Sequence, residues 1–282
     1  MRKVSIIGLG WLGMPLAQAL QRSGVQAIGS KTTPDGVEAA CMCGIGCYLL
    51  NLNPQIICDA DDLEQLMFVD VLVLSLPVSG VSGGGEEYVK AVQLIVDTAL
   101  SYSIPRIIFT SSTSVYGTSV GYLNEDEPLC PETQSAKALV ELENWLHQLP
   151  NTSVDILRLA GLVGGGRHAG RFLAGRKAVQ GGDNVVNLVH QDDVISAIKL
   201  LIQQPEGGHI YNLCAPNHPK RSEFYSSACR QLGLTPPEFL PSENFLPSEN
   251  KELQGKVIDG SRICRELGFE YQFPDPDRMP MS

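Results

Sequence analysis

Three features of this sequence predict an α/β fold: a doubly wound parallel sheet with a smaller C-terminal lobe. Short apolar runs alternate with helical stretches through the first 160 residues, the rhythm of βαβ units. Hydrophobic residues make up 43% of the 282 and charged residues 18%, enough apolar surface for a packed core and too much for a disordered chain. The 28 glycines and 18 prolines exceed the roughly 12% that these residues average together. They gather in clusters and single turns, not in a periodic tract, which excludes collagen-like and linker sequences. The length suits two ordinary domains or one large one.

Taken in order, residues 4–7 form a buried strand and 13–22 a helix closed by Gly24. A second strand covers 25–28. Thr33-Pro34 opens a short helix, with threonine as N-cap and proline at the first position. Strands follow at 48–52 and 71–74, the latter stopped by Pro77. A helix over 86–102 carries Val89, Val92, Ile95, Val96 and Ala99 on one face. A fifth strand at 106–110, a helix at 136–147 and a sixth strand at 154–159 complete the alternation. Beyond Leu159 the regularity fades. Gly164-Gly165-Gly166 and Gly181-Gly182 punctuate a looser region, 192–203 reads as one more helix, and Pro-rich turns with short helices fill the rest. The expected boundaries are 1–160 for the sheet domain and 161–282 for the smaller lobe, with a segment near 185–212 returning to the first. The hexapeptide 239–244 recurs at 245–250; two copies build no solenoid, and a duplicated surface loop is the expectation.

Lys and Arg number 21 against 31 Asp and Glu, a net charge of −10. Such a surface repels phosphate backbones, and no basic stripe appears, so nucleic acid is not an expected partner. No apolar run is long enough for a bilayer, so no membrane is expected either. Met1-Arg2-Lys3, an apolar stretch and Ala17-Gln18-Ala19 imitate a signal peptide. Cleavage there would remove a whole strand–turn–helix with its spaced glycines, so the stretch reads as mature sequence. The eight cysteines then read as thiols of a reducing compartment, with the cytoplasm as the expected location.

Gly8-Leu9-Gly10-Trp11-Leu12-Gly13 follows a strand and opens a helix. Gly8 permits the tight turn, Gly10 lets the backbone approach a pyrophosphate, and Gly13 with Ala17 lets helix and sheet pack closely. The backbone of Gly10, Trp11 and Leu12 brings N–H donors and the positive end of the helix dipole to the phosphates. This is the fingerprint of a Rossmann dinucleotide site. A carboxylate for the ribose diol is expected about twenty residues on in an NAD site; here the chain reads Gly29-Ser30-Lys31-Thr32. Lys31 can pair with a 2′-phosphate and the Ser30 and Thr32 hydroxyls can donate to it, which favours NADP over NAD. The plain alternative for Lys31 is a solvated charge. Asp35, after Pro34, suits the next helix start.

Further motifs arrive in order: Phe109-Thr110-Ser111-Ser112-Thr113-Ser114-Val115-Tyr116-Gly117, Leu157-Arg158-Leu159-Ala160-Gly161, Val189-His190-Gln191-Asp192-Asp193-Val194, Ile210-Tyr211-Asn212, and Ser261-Arg262 with Leu267-Gly268-Phe269. This set resembles the extended short-chain dehydrogenase/reductases of the NAD-dependent epimerase/dehydratase group over almost the full chain, and within it the atypical bacterial YeeZ-like members. The resemblance implies that Ser112 is the active-site hydroxyl that hydrogen-bonds the reacting oxygen and that Lys137 is the active-site lysine, which also contacts the cofactor. It implies a structural role for His190. The departures are specific. The family's Tyr-x-x-x-Lys pair would place tyrosine at 133, where this chain has threonine, too weak an acid to replace it. Thr113 and Ser114 stand where dehydratases carry Asp-Glu, and Ile7 stands where the family has glycine, with Gly8 shifted by one. Tyr116 and Tyr88 are the stand-in proton donors to be located. Without the family context, Ser112 reads as a strand-end hydroxyl and Lys137 as a solvated helix charge.

Cys41, Cys43 and Cys47 lack a neighbouring histidine and a metal-site spacing, so no metal is expected. Arg167 and Arg171, beside the glycine triplet, could grip an anionic small-molecule substrate or simply solubilise a loop. The assembly expected is a homodimer. The function expected is an NADP-dependent oxidoreductase or epimerase acting on a carbonyl or sugar-like substrate. One alternative is a non-catalytic NADP-binding sensor or scaffold, motivated by the missing tyrosine. Another is a beta-hydroxyacid dehydrogenase, which the opening through Met14-Pro15-Leu16-Ala17 resembles but which needs an all-helical second domain.

Overall fold

Strand order in the central sheet reverses at its first strand, and that reversal decides where a ligand crevice forms. The computed structural model describes residues 2–52, 55–81, 83–241 and 254–281; the hexapeptide repeat falls outside the described residues from 242 on. β1 (Lys3–Ile7) leads through α1 (Gly13–Arg22), β2 (Gln26–Lys31) and α2 (Pro34–Met42) to β3 (Gly46–Leu49). A small hairpin of β4 (Asn51–Leu52) and β5 (Ile56–Ile57) precedes α3 (Ala60–Met67) and β6 (Val71–Leu74). Then come α4 (Gly85–Ser101), β7 (Arg106–Ser112), β8 (Gly121–Leu123), α5 (Gln134–Leu146), β9 (Ser153–Leu159), β10 (Gly161–Val163) and α6 (Gly170–Leu173). The chain continues through β11 (Leu188–His190), α7 (Gln191–Gln203), β12 (Ile210–Leu213), α8 (Arg221–Gln231), β13 (Lys256–Ile258) and α9 (Arg262–Leu267).

Seven strands form a mostly parallel sheet in the order β12-β9-β7-β6-β1-β2-β3, the doubly wound α/β architecture that the sequence predicts. β1 pairs in parallel with β2 on one side, Ile6 opposite Gly29, and with β6 on the other, Ile6 opposite Val73. Helices on both faces make the central strands apolar throughout: Val4, Ile6, Val73 and Leu74 are wholly buried. Ser5 breaks that run. It is fully buried and its hydroxyl has no hydrogen-bond partner among the described residues. Ser5→Ala is therefore expected to raise stability by about 1 kcal/mol, because the unpaired hydroxyl is removed; an unchanged or lower denaturant midpoint would count against this.

Local signals explain the helices. Thr33 caps α2, its Oγ1 accepting the Gly36 N–H at 3.2 Å, with Pro34 in the first position. α4 buries Tyr88, Val89, Ala91, Val92, Ile95, Val96 and Ala99 along one stripe. The third strand ends earlier than the composition predicts. Leu50 N–H still reaches the Lys31 carbonyl at 2.9 Å, but β2 stops at Lys31, and Asn51–Leu52 turns into the hairpin. α3, absent from the sequence prediction, is capped by Asp59, whose Oδ1 accepts the Asp61 N–H at 2.9 Å; it buries little beyond Leu66 and Met67.

The chain forms two compact units. The first comprises Met1–Val115, Pro131–Arg158 and Ile195–Tyr211; the second comprises Tyr116–Cys130, Leu159–Val194 and Asn212–Ser282. In the first, Arg106 places Nε and Nη2 on Asp155 Oδ2 at 2.8 and 2.6 Å and Nη1 on the Gln204 carbonyl at 2.7 Å. Asp155 Oδ1 receives the His209 amide at 3.2 Å, so one buried carboxylate joins β7, β9 and the approach to β12. The second unit holds two parallel strand pairs, β10–β11 and β13–β8. Its apolar core includes Val163, Leu173, Phe224, Met279 and Met281. No helix among the described residues is long and apolar enough to cross a membrane.

Candidate functional site

The glycine-rich turn lies at the C-terminal end of β1, where the strand order reverses, the position at which open α/β sheets bind ligands. Gly8 has φ +100°, and its N–H donates to Ser30 Oγ at 3.2 Å; Leu9 N–H bonds the Ser30 carbonyl at 2.9 Å. The turn is thus pinned to β2. A Cβ on Gly13 would stand 2.2 Å from the Gly8 carbonyl oxygen, so only glycine lets α1 start this close to the turn. A Cβ on Gly10 would meet nothing within 4 Å: the turn is open there. Leu12, at the N-cap of α1, supplies no side-chain hydrogen bond, and the first turn holds no acid. A helix start without a side-chain cap, beside an open glycine, fits an anionic phosphate.

Beyond the turn, Ser30 is buried, Lys31 half-buried and Thr32 exposed. The Lys31 stem runs beside Gly36, at the start of α2. Asp35 sits in the first turn of α2, beside a helix start that favours negative charge. No carboxylate occupies 30–32. The three cysteines after it lie on α2, just beyond it and in β3; burial, with Cys41 beside it, pushes the Cys47 thiol up to about 11, a protonated thiol.

Ser112 ends β7, its Oγ accepting the Ser114 N–H at 3.1 Å. Lys137 is exposed in the second turn of α5. Thr133, four residues earlier, is the N-cap of that helix: Oγ1 accepts the Ala136 N–H at 3.1 Å. The residue in the tyrosine position therefore starts a helix. Neither stand-in tyrosine is available for proton transfer. Tyr88 is fully buried, donates to the Leu76 carbonyl at 3.0 Å, and is pushed well up by burial. Tyr116 is fully buried and held by the Asn124 carbonyl and Asn212 Oδ1 at 3.0 and 2.9 Å.

Sequence reasoning missed the group that supports Ser112 and Lys137. Ser111 Oγ donates to Glu143 Oε1 at 2.5 Å, and Arg158 Nη2 and Nε reach Glu143 Oε2 at 2.8 and 3.1 Å. All three residues are buried. The carboxylate ties the end of β7, next to Ser112, to α5, which carries Lys137, and to the end of β9. The signal was visible in part: Arg158 belongs to a quoted motif, but Glu143 reads as ordinary helix charge.

The other candidates lie in the second unit. Burial of His190 leaves its Nε2–H donating to the Pro280 carbonyl at 2.7 Å, while Nδ1 accepts the Asp192 N–H at 3.2 Å. Asp193 accepts the Gln272 and Phe273 amides at 2.7 and 3.2 Å, and burial raises its carboxyl. This histidine and aspartate anchor backbone. Arg167 lies with its guanidinium 5.8 Å from the Phe172 ring centroid, and Arg171 is exposed in α6. The strand pairs of this unit do not match the all-helical second domain of a beta-hydroxyacid dehydrogenase.

Comparison with known proteins agrees with this arrangement. Over its full length the chain is 60% identical to Protein YeeZ of Escherichia coli strain K12, covering 100% of both. A short-chain dehydrogenase/reductase superfamily protein from Agrobacterium tumefaciens with bound NAD superposes with a TM-score of 0.74 at 18% identity, over 98% of this chain and 94% of that one. UDP-glucose 4-epimerase from Bifidobacterium longum, in complex with NAD+ and UDP, also gives 0.74 at 18% identity, over 98% and 95%. At that identity the likeness is one of fold. The sequence pattern of the NAD dependent epimerase/dehydratase family matches residues 4–214, and together with the full-length relative it shows that the chain belongs to that family.

Proposed function

We propose that the protein is an NAD(P)-dependent oxidoreductase or epimerase that takes NADP in preference to NAD and acts on a carbonyl, aldehyde or sugar-like substrate. The observation that carries this reading is the open, pinned turn at the end of β1 with Lys31, not a carboxylate, at the end of β2. When bound, the dinucleotide supplies the hydride donor or acceptor. The backbone of Gly10, Trp11, Leu12 and Gly13 holds its phosphates. Lys31, helped by the Ser30 and Thr32 hydroxyls, takes the 2′-phosphate. Ser30 accepts from Gly8 and keeps its own O–H to donate. Ser112 polarises the reacting oxygen, and Lys137 anchors the ribose and a water that moves the proton. An anionic substrate is the class that Arg167 and Arg171 support.

Lys31→Glu is expected to weaken NADPH about 10- to 100-fold more than NADH, the worth of one charge-assisted contact replaced by repulsion. Titration of nicotinamide fluorescence measures it; equal losses for the two cofactors would remove the 2′-phosphate assignment. A second reading, an NADP-binding sensor or scaffold without turnover, is favoured by Thr133 serving as a cap and by the engaged Tyr88 and Tyr116 hydroxyls. Tight NADPH binding with no oxidation across a panel of carbonyl and sugar-nucleotide substrates would decide for it.

A further inference from the structure

A cleft of about 790 Å³ opens within the second unit, a volume in the range of small-molecule sites. Three segments build it: the loop after β12 with Pro216, Asn217, His218 and Pro219; the turn from β13 into α9 with Asp259, Gly260, Ser261 and Cys264; and the run from Tyr271 to Asp277. Its inner wall is a rigid piece of structure. Tyr271 donates to the Gly260 carbonyl at 2.9 Å and receives the Cys214 N–H at 3.2 Å. A Cβ on Gly260 would stand 2.4 Å from the Cys214 carbonyl oxygen and 2.6 Å from the Tyr271 hydroxyl, so glycine keeps this wall closed. Tyr122, 69% exposed, presents an aromatic ring at the mouth.

The lining is chemically one-sided. It contains three carboxylates, Asp259, Asp275 and Asp277, and no lysine or arginine. The remaining titratable side chains offset nothing. His218 donates Nδ1–H to the Val186 carbonyl at 3.3 Å, and burial lowers its pKa, so the ring is neutral at pH 7 with Nε2 as an acceptor. Cys264 is held protonated by burial. Asp277 is raised by burial and by the nearby Asp275 and Glu223, a repulsion that a bound cation would relieve. Each carboxylate is placed by the backbone: Asp259 Oδ1 accepts the Ser261 N–H at 2.9 Å, and Asp275 Oδ1 the Asp277 N–H at 3.1 Å. Arg278, 88% exposed, touches only Asp275, at 3.5 Å. No group of three metal-ligating side chains suited to an ion occurs among the described residues, so the complementary cation is an organic one. An ammonium group donates to carboxylates and to a neutral imidazole, and an aromatic ring favours its charge while prolines pack its methylenes.

We propose that this cleft binds a small organic polycation, a flexible chain carrying two or more ammonium groups, at a site whose residues are separate from those of the glycine-rich turn. The cavity of molecular size, its rigid Tyr271–Gly260 wall, its aromatic mouth and its uncompensated negative lining carry the assignment together.

Spermidine is the probe, titrated calorimetrically into the intact protein at physiological ionic strength, with magnesium chloride as the parallel arm. One saturable site is expected for spermidine and none for magnesium. Asp259→Asn and Asp277→Asn keep the shape of each side chain while removing its charge. Each is expected to weaken spermidine about tenfold, one charge-assisted contact apiece, while NADPH affinity and the thermal midpoint stay near those of the parent. Absence of saturable spermidine binding, equal binding of magnesium, or undiminished binding in both variants would overturn the proposal. If a variant unfolds, Tyr122→Ala, on an exposed ring, gives the same reading through a loss of several-fold.

Discussion

Replacement of Glu143 by alanine is expected to cost the fold about 3–5 kcal/mol, the largest effect of any single side chain in the first unit, because it leaves Arg158 buried without its carboxylate. The two side chains are 2% and 4% exposed, and the pair closes at 2.8 Å. Ser111 adds its hydroxyl to the other carboxylate oxygen, so the same change frees the strand end that precedes Ser112. Glu143→Gln keeps the shape and an acceptor oxygen and should lose less than alanine. Ser111→Ala should cost on the order of 1 kcal/mol, one hydrogen bond. Urea unfolding of the three variants gives the order Glu143→Ala, Glu143→Gln, Ser111→Ala. A cost of about 1 kcal/mol or less for Glu143→Ala, the worth of an exposed pair, would mean that the network is solvated.

The second large effect concerns the turn, where two glycines separate folding from binding. Gly13→Ala forces a methyl to within 2.2 Å of the Gly8 carbonyl. α1 must back away from the turn, at about 1–3 kcal/mol for overpacking, and its N–H groups leave the phosphate position, lowering NADPH affinity by about a hundredfold or more. Gly10→Ala meets no atom within 4 Å and should melt like the parent. Its methyl nevertheless occupies the space through which a pyrophosphate approaches the backbone, so NADPH affinity should fall as well. Parent-like NADPH binding by a folded Gly10→Ala protein would place the cofactor elsewhere.

The parts of this site that are local in sequence were legible there. Six consecutive residues build the turn, and their glycines declare it because each answers a steric demand among near neighbours. Thr33-Pro34 announced α2 for the same reason. The Thr133 cap was legible in principle, a threonine just before a helix, but the helix was expected to begin at 136 and begins at Gln134. Non-local arrangements were not legible. Glu143 and Arg158 are charged residues whose default place is the surface; only the packing of α5 across β7 and β9 turns them into a buried pair. Asn212 accepts the Tyr116 hydroxyl, donates its amide to Glu125 at 2.8 Å, and reaches the Asp259 carbonyl at 3.2 Å, and none of those partners can be inferred from spacing. α3 was missed because Ala60–Met67 is half polar and buries only its last turn.

The position of β12 at the outer edge of the sheet bears on the order in which a growing chain can become stable. β9 and β12 are neighbours, and Ile156 N–H bonds the His209 carbonyl at 2.8 Å, yet all of Leu159–Val194 lies between them in the sequence and belongs to the second unit. During synthesis the first unit must wait for that excursion before its sheet gains its final strand. A nascent chain that has emerged only through β9 already holds the Arg106–Asp155 pair, with an open strand edge beside it and no His209 amide for Asp155. Such an edge recruits other chains, and closing it across some fifty residues slows folding. The vulnerable interval therefore belongs to translation, and a fragment ending near residue 160 would prolong it indefinitely.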